Sequence, residues 1–305
     1  MKIASLLPSA TEIVYALGLG DDLIGVTDAC DYPPDATTKP VVAWSGIPQD
    51  RAHGPRGIDD AVRDRMATEE PLYVLDRDLL AREKPDVILT QDLCRVCAVP
   101  SDQVERALAE IGAPKAEVIS LDPRTLDDVI EQISVVGRAF GREQQALEIV
   151  ASLRERVDGV RRTSARLPTI RVLALEWSDP PFVGGHWIPE MVEAVGATNL
   201  LNDKGQPSRE VGWREVGDAM PEVVVFMPCG YYLEEAEEEV PSLFDHPDFA
   251  DTPAARGGNV FAVDATSFFS RPGPRIVDGL EVLAWAVHPD AYPRPPSTSI
   301  ARVER

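Results

Sequence analysis

Hydrophobic positions along this chain come in two spacings. Short runs that are apolar at nearly every position alternate with segments whose apolar residues recur every three or four. The first run, Ile3-Ala4-Ser5-Leu6-Leu7, reads as a buried strand. Pro8 ends it, and Ser9-Ala10-Thr11-Glu12 reads as a capping box in which Ser9 accepts from the amide of Glu12. A helix then follows, with Ile13, Val14 and Leu17 on one face and a stop at Gly18-Leu19-Gly20. The same unit returns from Arg171 as "RVLALEWSDPPFVGGHWIPEMVEAVG": strand, Pro-Gly loop, helix. A second echo pairs "LDRDLLAREKPDVILTQDLC" with "WREVGDAMPEVVVFMPC". Each reads as a helix, a turn and a buried strand, Val87-Ile88-Leu89 in one and Val223-Val224-Val225-Phe226 in the other.

Continuously apolar strands alternating with helices predict parallel sheets covered on both faces. The expected fold is therefore α/β, with two Rossmann-like lobes in series. Between them, Val129, Ile133 and Val136 mark one helix; Leu147, Val150, Leu153 and Val157 mark a second, from about Arg142 to Arg166, with Gly141 separating the two. The expected division is residues 1–141 for the first lobe, 142–168 for a bridging helix and 169–305 for the second lobe.

In open α/β sheets, ligands sit off the carboxyl ends of the strands, where helix N-termini point. Ser9 and the segments Asp31-Tyr32-Pro33, Ala43-Trp44-Ser45-Gly46 and Gln91-Asp92 fall there in the first lobe. In the second lobe, Trp177, Phe182, His186-Trp187, Tyr231-Tyr232 and the run Ser267 to Arg271 do so, with Trp213 in a polar loop. Four of the five tryptophans thus read as loop residues, and Trp285 reads as core. Large rings in loops predict an aromatic-walled binding cleft.

Catalytic signatures are absent: the chain has no G-x-S-x-G, Walker A, H-E-x-x-H or full dinucleotide fingerprint. "GLGDDLIG" follows a helix, so it reads as a helix stop. His186 alone of four histidines falls in a predicted cleft loop. Cys30, the pair Cys94 and Cys97, and Cys229 all follow predicted strands, which predicts thiols near the cleft mouth. A lone C-x-x-C is a weak zinc signal, and free buried thiols fit a reducing compartment. Charge narrows the partners. With 30 basic and 51 acidic residues in 305, the net charge is −21, the opposite of a nucleic-acid or anionic-membrane footprint. No stretch reaches the roughly 20 apolar residues of a membrane span. With no leader before the first strand, the expected location is cytoplasmic, and extracytoplasmic if a leader has been removed.

Taken in order, "IASLLPSATEIVYALGLGDDLIGVT", "CDYPP", "KPDVILTQ", "PPFVGG" and "SRPGPRIVDGLEVLA" resemble the substrate-binding proteins of cobalamin and iron-siderophore ABC importers, with the cobalamin binders closest. The resemblance implies a class III periplasmic binding-protein-like fold, two lobes joined by one long helix. It implies a non-catalytic monomer that holds a corrinoid in the cleft, with no intrinsic cofactor and no resident metal. Tyr32 would stack on the macrocycle, Trp44 would wall the same side and Phe182 would face it from the second lobe. Arg271 would reach side amides or phosphate, with Ser9, His186, Trp213 and Phe268 completing the site.

Permease docking would use one acid per lobe, seven residues before the turn proline. That position is Asp78 before Pro85, but Arg214 before Pro221, so Glu215 or Glu210 would have to stand in. The reversed charge, the cysteines and the inserted segment "SGIPQDRAHGPRGIDDAVRDRMATEE" depart from the exported pattern. They point to a variant that binds its ligand in the cytoplasm without delivering it to a standard importer. The alternatives are an iron-siderophore or haem carrier, and an intracellular thiol or metal enzyme using Cys30, Cys94, Cys97 and His186.

Overall fold

A computed structural model describes residues 1–47, 54–68, 70–93, 98–112 and 116–303. The chain forms two compact units, one of Met1–Asp122 with Gln132–Leu147 and one of Pro123–Glu131 with Glu148–Arg305.

In the first unit, the elements run β1 (Ile3–Ser5), α1 (Pro8–Ala16), β2 (Leu23–Thr27), β3 (Val41–Ser45), α2 (Gly54–Ala67), β4 (Tyr73–Leu75), α3 (Arg77–Glu83), β5 (Val87–Thr90), α4 (Ser101–Glu110) and β6 (Glu117–Ser120). Two helices shared by both units follow, α5 (Leu126–Ala139) and α6 (Glu143–Ser164). The sheet order is β4-β3-β2-β1-β5-β6, parallel from β3 to β6, with β4 antiparallel at the edge. Strand order reverses at β1, which lies between β2 and β5; that is the switch point where an α/β sheet opens its ligand side. Ala4, Leu6, Ala43, Leu79, Leu80, Ile88, Val104 and Leu108 form the core on the α3–α4 face.

The second unit runs β7 (Arg171–Ser178), β8 (Pro181–Val183), α7 (Ile188–Ala194), β9 (Thr198–Asn199), β10 (Arg209–Glu210), α8 (Trp213–Asp218), β11 (Val223–Phe226) and α9 (Leu233–Glu239). Then come α10 (Pro247–Ala250), α11 (Pro253–Arg256), β12 (Val260–Val263), α12 (Ala265–Phe268), α13 (Ile276–Val287) and β13 (Ile300–Val303). Its sheet order is β10-β8-β7-β11-β12-β13, with β9 beside β7. β7, β11 and β12 are parallel, as expected, while β8, β10 and β13 pair antiparallel. Only Asp179 and Pro180 separate β7 from β8, and so short a link permits only a hairpin.

Three local expectations change. The capping box does not form: Leu7 is the N-cap and Pro8 occupies the first helical turn. A missing N–H costs nothing there, so the helix starts before Ser9 and buries it. Thr11 Oγ1 then donates to Ser5 Oγ at 2.8 Å. Leu147, assigned to the apolar stripe of α6, is 57% exposed, whereas Val150, Leu153 and Val157 are buried. Trp44 and Trp177 are strand residues of β3 and β7, while Trp187 and Trp213 stand at the starts of α7 and α8.

The shared helices are tied down by arginines. Within the second unit, Arg154 of α6 donates to Asp127 at 2.9 Å and Glu131 at 3.2 Å. Arg156 bonds Asp278 at 2.5 Å and Glu281 at 2.8 Å on α13. Among the described residues, no helix is long and apolar enough to cross a membrane.

Candidate functional site

In the first unit, the ligand side is built from the loops after β1, β2 and β5 and from the end of β3. Ser9 is buried in α1. Cys30 is also buried, with Sγ 3.1 Å from Thr11 Oγ1 and 3.2 Å from Thr27 Oγ1, so this thiol is part of an internal polar cluster and not of an open mouth. Cys94 and Cys97 lie outside the described residues. Tyr32 and Trp44 face outward, with 45% and 37% of their surfaces exposed. After β5, Asp122 Oδ1 accepts from the amides of Asp92 (2.6 Å) and Leu93 (2.8 Å). Asp92 in turn accepts from the Ser101 amide at the start of α4 and from Ser120 Oγ. Gln91 beside it is buried, and its Nε2 has no hydrogen-bond partner among the described residues.

The second unit presents Phe182 from β8, half-buried and in register with Trp177 and Glu210. His186 is held in an unusual way. Its φ of 52° lies in the left-handed region, which costs a residue with a side chain and persists only where surroundings enforce it. Enforcement comes from both backbone groups: its N–H donates to Gln206 O at 2.5 Å, and its carbonyl accepts from Gly205 at 2.9 Å. The preceding Gly185 permits the approach, since a Cβ there would lie 2.2 Å from the Ser208 nitrogen. Glu190 of α7 accepts from the Leu126 amide at 2.8 Å and from Arg161 at 3.1 Å. Burial, and then the charge of Arg124, pull the His186 pKa below the ordinary imidazole value. That direction favours the neutral ring, which can offer a nitrogen lone pair.

Other rings turn inward. Trp187 is buried and donates Nε1–H to Phe269 O at 2.9 Å. Trp213, expected in the ligand wall, stacks on His246 at 4.2 Å and meets Phe249 edge-on at 5.9 Å. Those contacts make it a packing residue of its own unit. After β12, Asp264 caps α12 through the Ser267 amide at 2.8 Å, and burial pushes its carboxyl above the usual range. Arg271 beside it is buried, and the Arg275 guanidinium lies 5.9 Å from the ring of half-buried Phe268.

Asp78 stands exposed in the first turn of α3. Its expected counterpart, Glu215, is bonded to Arg209 at 2.5 Å, which holds the carboxyl below its usual range. Arg214 is solvent-exposed. Cys229 is exposed whereas Cys30 is buried, so the described cysteines do not share one setting. Cys30 belongs to the first unit and His186 to the second. Among the described residues, no three His, Cys, Asp or Glu side chains are grouped to hold a metal ion.

Sequence reasoning did not single out Val74, the Arg209–Glu215 pair or the Asp92–Asp122 lock. Each depends on strand or loop pairing that spacing alone does not reveal.

Residues 3–266 match a family described as periplasmic binding protein. The chain is 24% identical over 286 residues to the vitamin B12-binding protein of Vibrio cholerae, covering 92% of this chain and 86% of that one. It is 25% identical over 297 residues to the uncharacterized ABC transporter substrate-binding lipoprotein YvrC of Bacillus subtilis, covering 95% and 81%. Among solved structures, a periplasmic heme binding protein from Pseudomonas aeruginosa superposes with a TM-score of 0.71 at 20% identity, covering 100% of this chain and 99% of that one. With two α/β units, a switch-point ligand side in the first and a match over most of its length, the chain belongs to the periplasmic binding protein family.

Proposed function

We propose that this protein is a non-catalytic binder of a metal-containing macrocycle, a corrinoid first and haem or an iron chelate as the alternative. The observation that carries the reading is the pair of exposed rings Tyr32 and Trp44 on the ligand side of the first unit. Solvent-facing rings of this size are costly unless a ligand covers them, and a corrin is a large disc with apolar faces and amide-bearing edges. In the second unit, taken by itself, Phe182, Phe268, His186 and Arg271 are the candidate ligand contacts. The vitamin B12-binding description of the Vibrio cholerae relative supports the corrinoid; the heme-binding description of the Pseudomonas structure supports the alternative.

We keep the proposal of a cytoplasmic variant for two reasons. Cys229 is exposed and forms no disulfide among the described residues, which suits a reducing compartment. The second docking acid is also engaged: Glu215 is held by Arg209, and the residue at the counted position, Arg214, is an exposed arginine 3.8 Å from Asp218 one turn on. The Bacillus subtilis relative is a lipoprotein and the Pseudomonas aeruginosa neighbour is periplasmic, which supports the alternative, an importer component that would dock through Asp78. Native mass spectrometry of the purified chain with cyanocobalamin, dicyanocobinamide and haemin tests the ligand class. A 1:1 complex with one of them is expected, and no complex with any of the three overturns the reading. Fractionation of the native host tests the location. Recovery with the membrane-anchored or extracellular fraction overturns the cytoplasmic placement.

A further inference from the structure

We infer that Val74 completes the apolar wall begun by Trp44, so that β3 and β4 together form the surface on which one face of the macrocycle lies. The inference rests on the ligand class proposed above and adds a residue and a strand to it.

Trp44 and Val74 are direct cross-strand partners in the antiparallel β3–β4 pair. Residues opposite each other in such a pair project from the same face of the sheet, and their neighbours project from the other. The neighbours behave accordingly. Ala43 is core, and its partner Leu75 packs against the same cluster, as does Tyr73, the partner of Ser45; Val42, on the face of Trp44, is buried too, so the open part of that face begins at Trp44. Trp44 and Val74 take the opposite face and stay open, with 37% and 41% of their surfaces exposed.

β4 is the edge of the sheet. Edge strands are ordinarily protected by charge, a bulge or a covering element. Here the outward position of the three-residue strand carries an uncharged β-branched side chain beside an exposed indole. The pair forms a continuous uncharged step two strands wide. That suits a disc whose polar groups sit on its rim, since each ring atom laid on the step removes apolar surface from water on both partners. A charged ligand face would find no partner in these two side chains.

Equilibrium dialysis against dicyanocobinamide and against haemin tests the assignment, using Val74→Ala, Val74→Asp, Trp44→Ala and the double variant Trp44→Ala/Val74→Ala. Removing two methyl groups from a covered site is expected to weaken the preferred probe about 5- to 10-fold, and Val74→Asp at least 30-fold. Melting temperatures of both Val74 variants should stay near the parent, because the side chain faces outward. The double variant should lose less than the product of the two single effects, since one flat ligand touches both side chains. If Trp44→Ala weakens binding while Val74→Asp binds like the parent, Val74 is not part of the wall and the ligand class stands. If the losses of the two alanine variants simply multiply, the shared surface is refuted. If the unaltered protein binds neither probe, it is the ligand class that fails.

Discussion

Replacing Trp44 by alanine puts a number on the proposed ligand wall. The ring keeps 37% of its surface open. A tryptophan side chain offers up to about 250 Å², so about 90 Å² is available to a ligand. At ~25 cal/mol per Å², covering that area contributes about 2.3 kcal/mol. Each 1.4 kcal/mol is tenfold in Kd, which makes the expected loss about 40-fold. The covered part of the ring also packs on its own unit, so the variant should lose about 1–2 kcal/mol of stability, less than a fully buried tryptophan would cost. The assay therefore compares Kd per folded molecule, from quenching of the remaining tryptophans by dicyanocobinamide or haemin, with the folded fraction taken from a melt. A Kd within twofold of the parent, with stability reduced by 3 kcal/mol or more, would show that Trp44 is a packing residue and refute the reasoning.

Thiol labelling should separate the cysteines that the structure describes. Cys229 reacts rapidly in the folded protein and Cys30 only on unfolding; equal rates would contradict the burial of Cys30 between Thr11 and Thr27. Acid should weaken the fold through two imidazoles whose folded pKa values lie below the ordinary one, His186 through burial and then Arg124, His288 through burial against the opposing bond to Val195 O. A base lowered in this way stabilises the folded state fully above the unfolded value of about 6.5, and that contribution is lost as pH falls below it toward the folded value. The melting temperature should therefore drop between pH 7 and pH 5. A His186→Gln/His288→Gln variant should show a shallower drop, and an unchanged slope would count against the assignment. At the docking position, Arg209→Ala should release Glu215 from its partner and bring its pKa back toward the ordinary carboxylate value, measured by NMR titration; an unmoved pKa would show that Arg209 is not what holds it.

Much of the architecture was legible because burial on both faces leaves a plain signature. Val87-Ile88-Leu89 and Val223 to Phe226 could be read as central strands from composition alone, and both are buried throughout. The antiparallel strands of the second unit were not legible: β8 is three residues long and depends on hairpin geometry, and the edge strands β10 and β13 are short, partly exposed and depend on where the chain returns. The capping box failed because Ser-x-x-Glu spacing competes with a proline that starts the helix two residues early. Aromatic positions were the least legible. A tryptophan near a strand end reads alike whether it faces outward, as Trp44 does, stacks on a neighbour, as Trp213 does, or is buried with its N–H satisfied, as Trp187 is. The left-handed backbone of His186 left no trace except its two preceding glycines.

The central claim, that the chain binds a metal-containing macrocycle, is tested most directly by titrating the purified protein into dicyanocobinamide and, separately, into haemin, and recording the visible absorption spectrum. A saturable shift of the absorption bands at micromolar protein, with a 1:1 endpoint for one of the two probes, is the result the account predicts. Spectra that stay those of the free compounds for both, up to protein concentrations of about 100 µM, where even a weak site with a binding free energy of about −5.5 kcal/mol would be half filled, would contradict it.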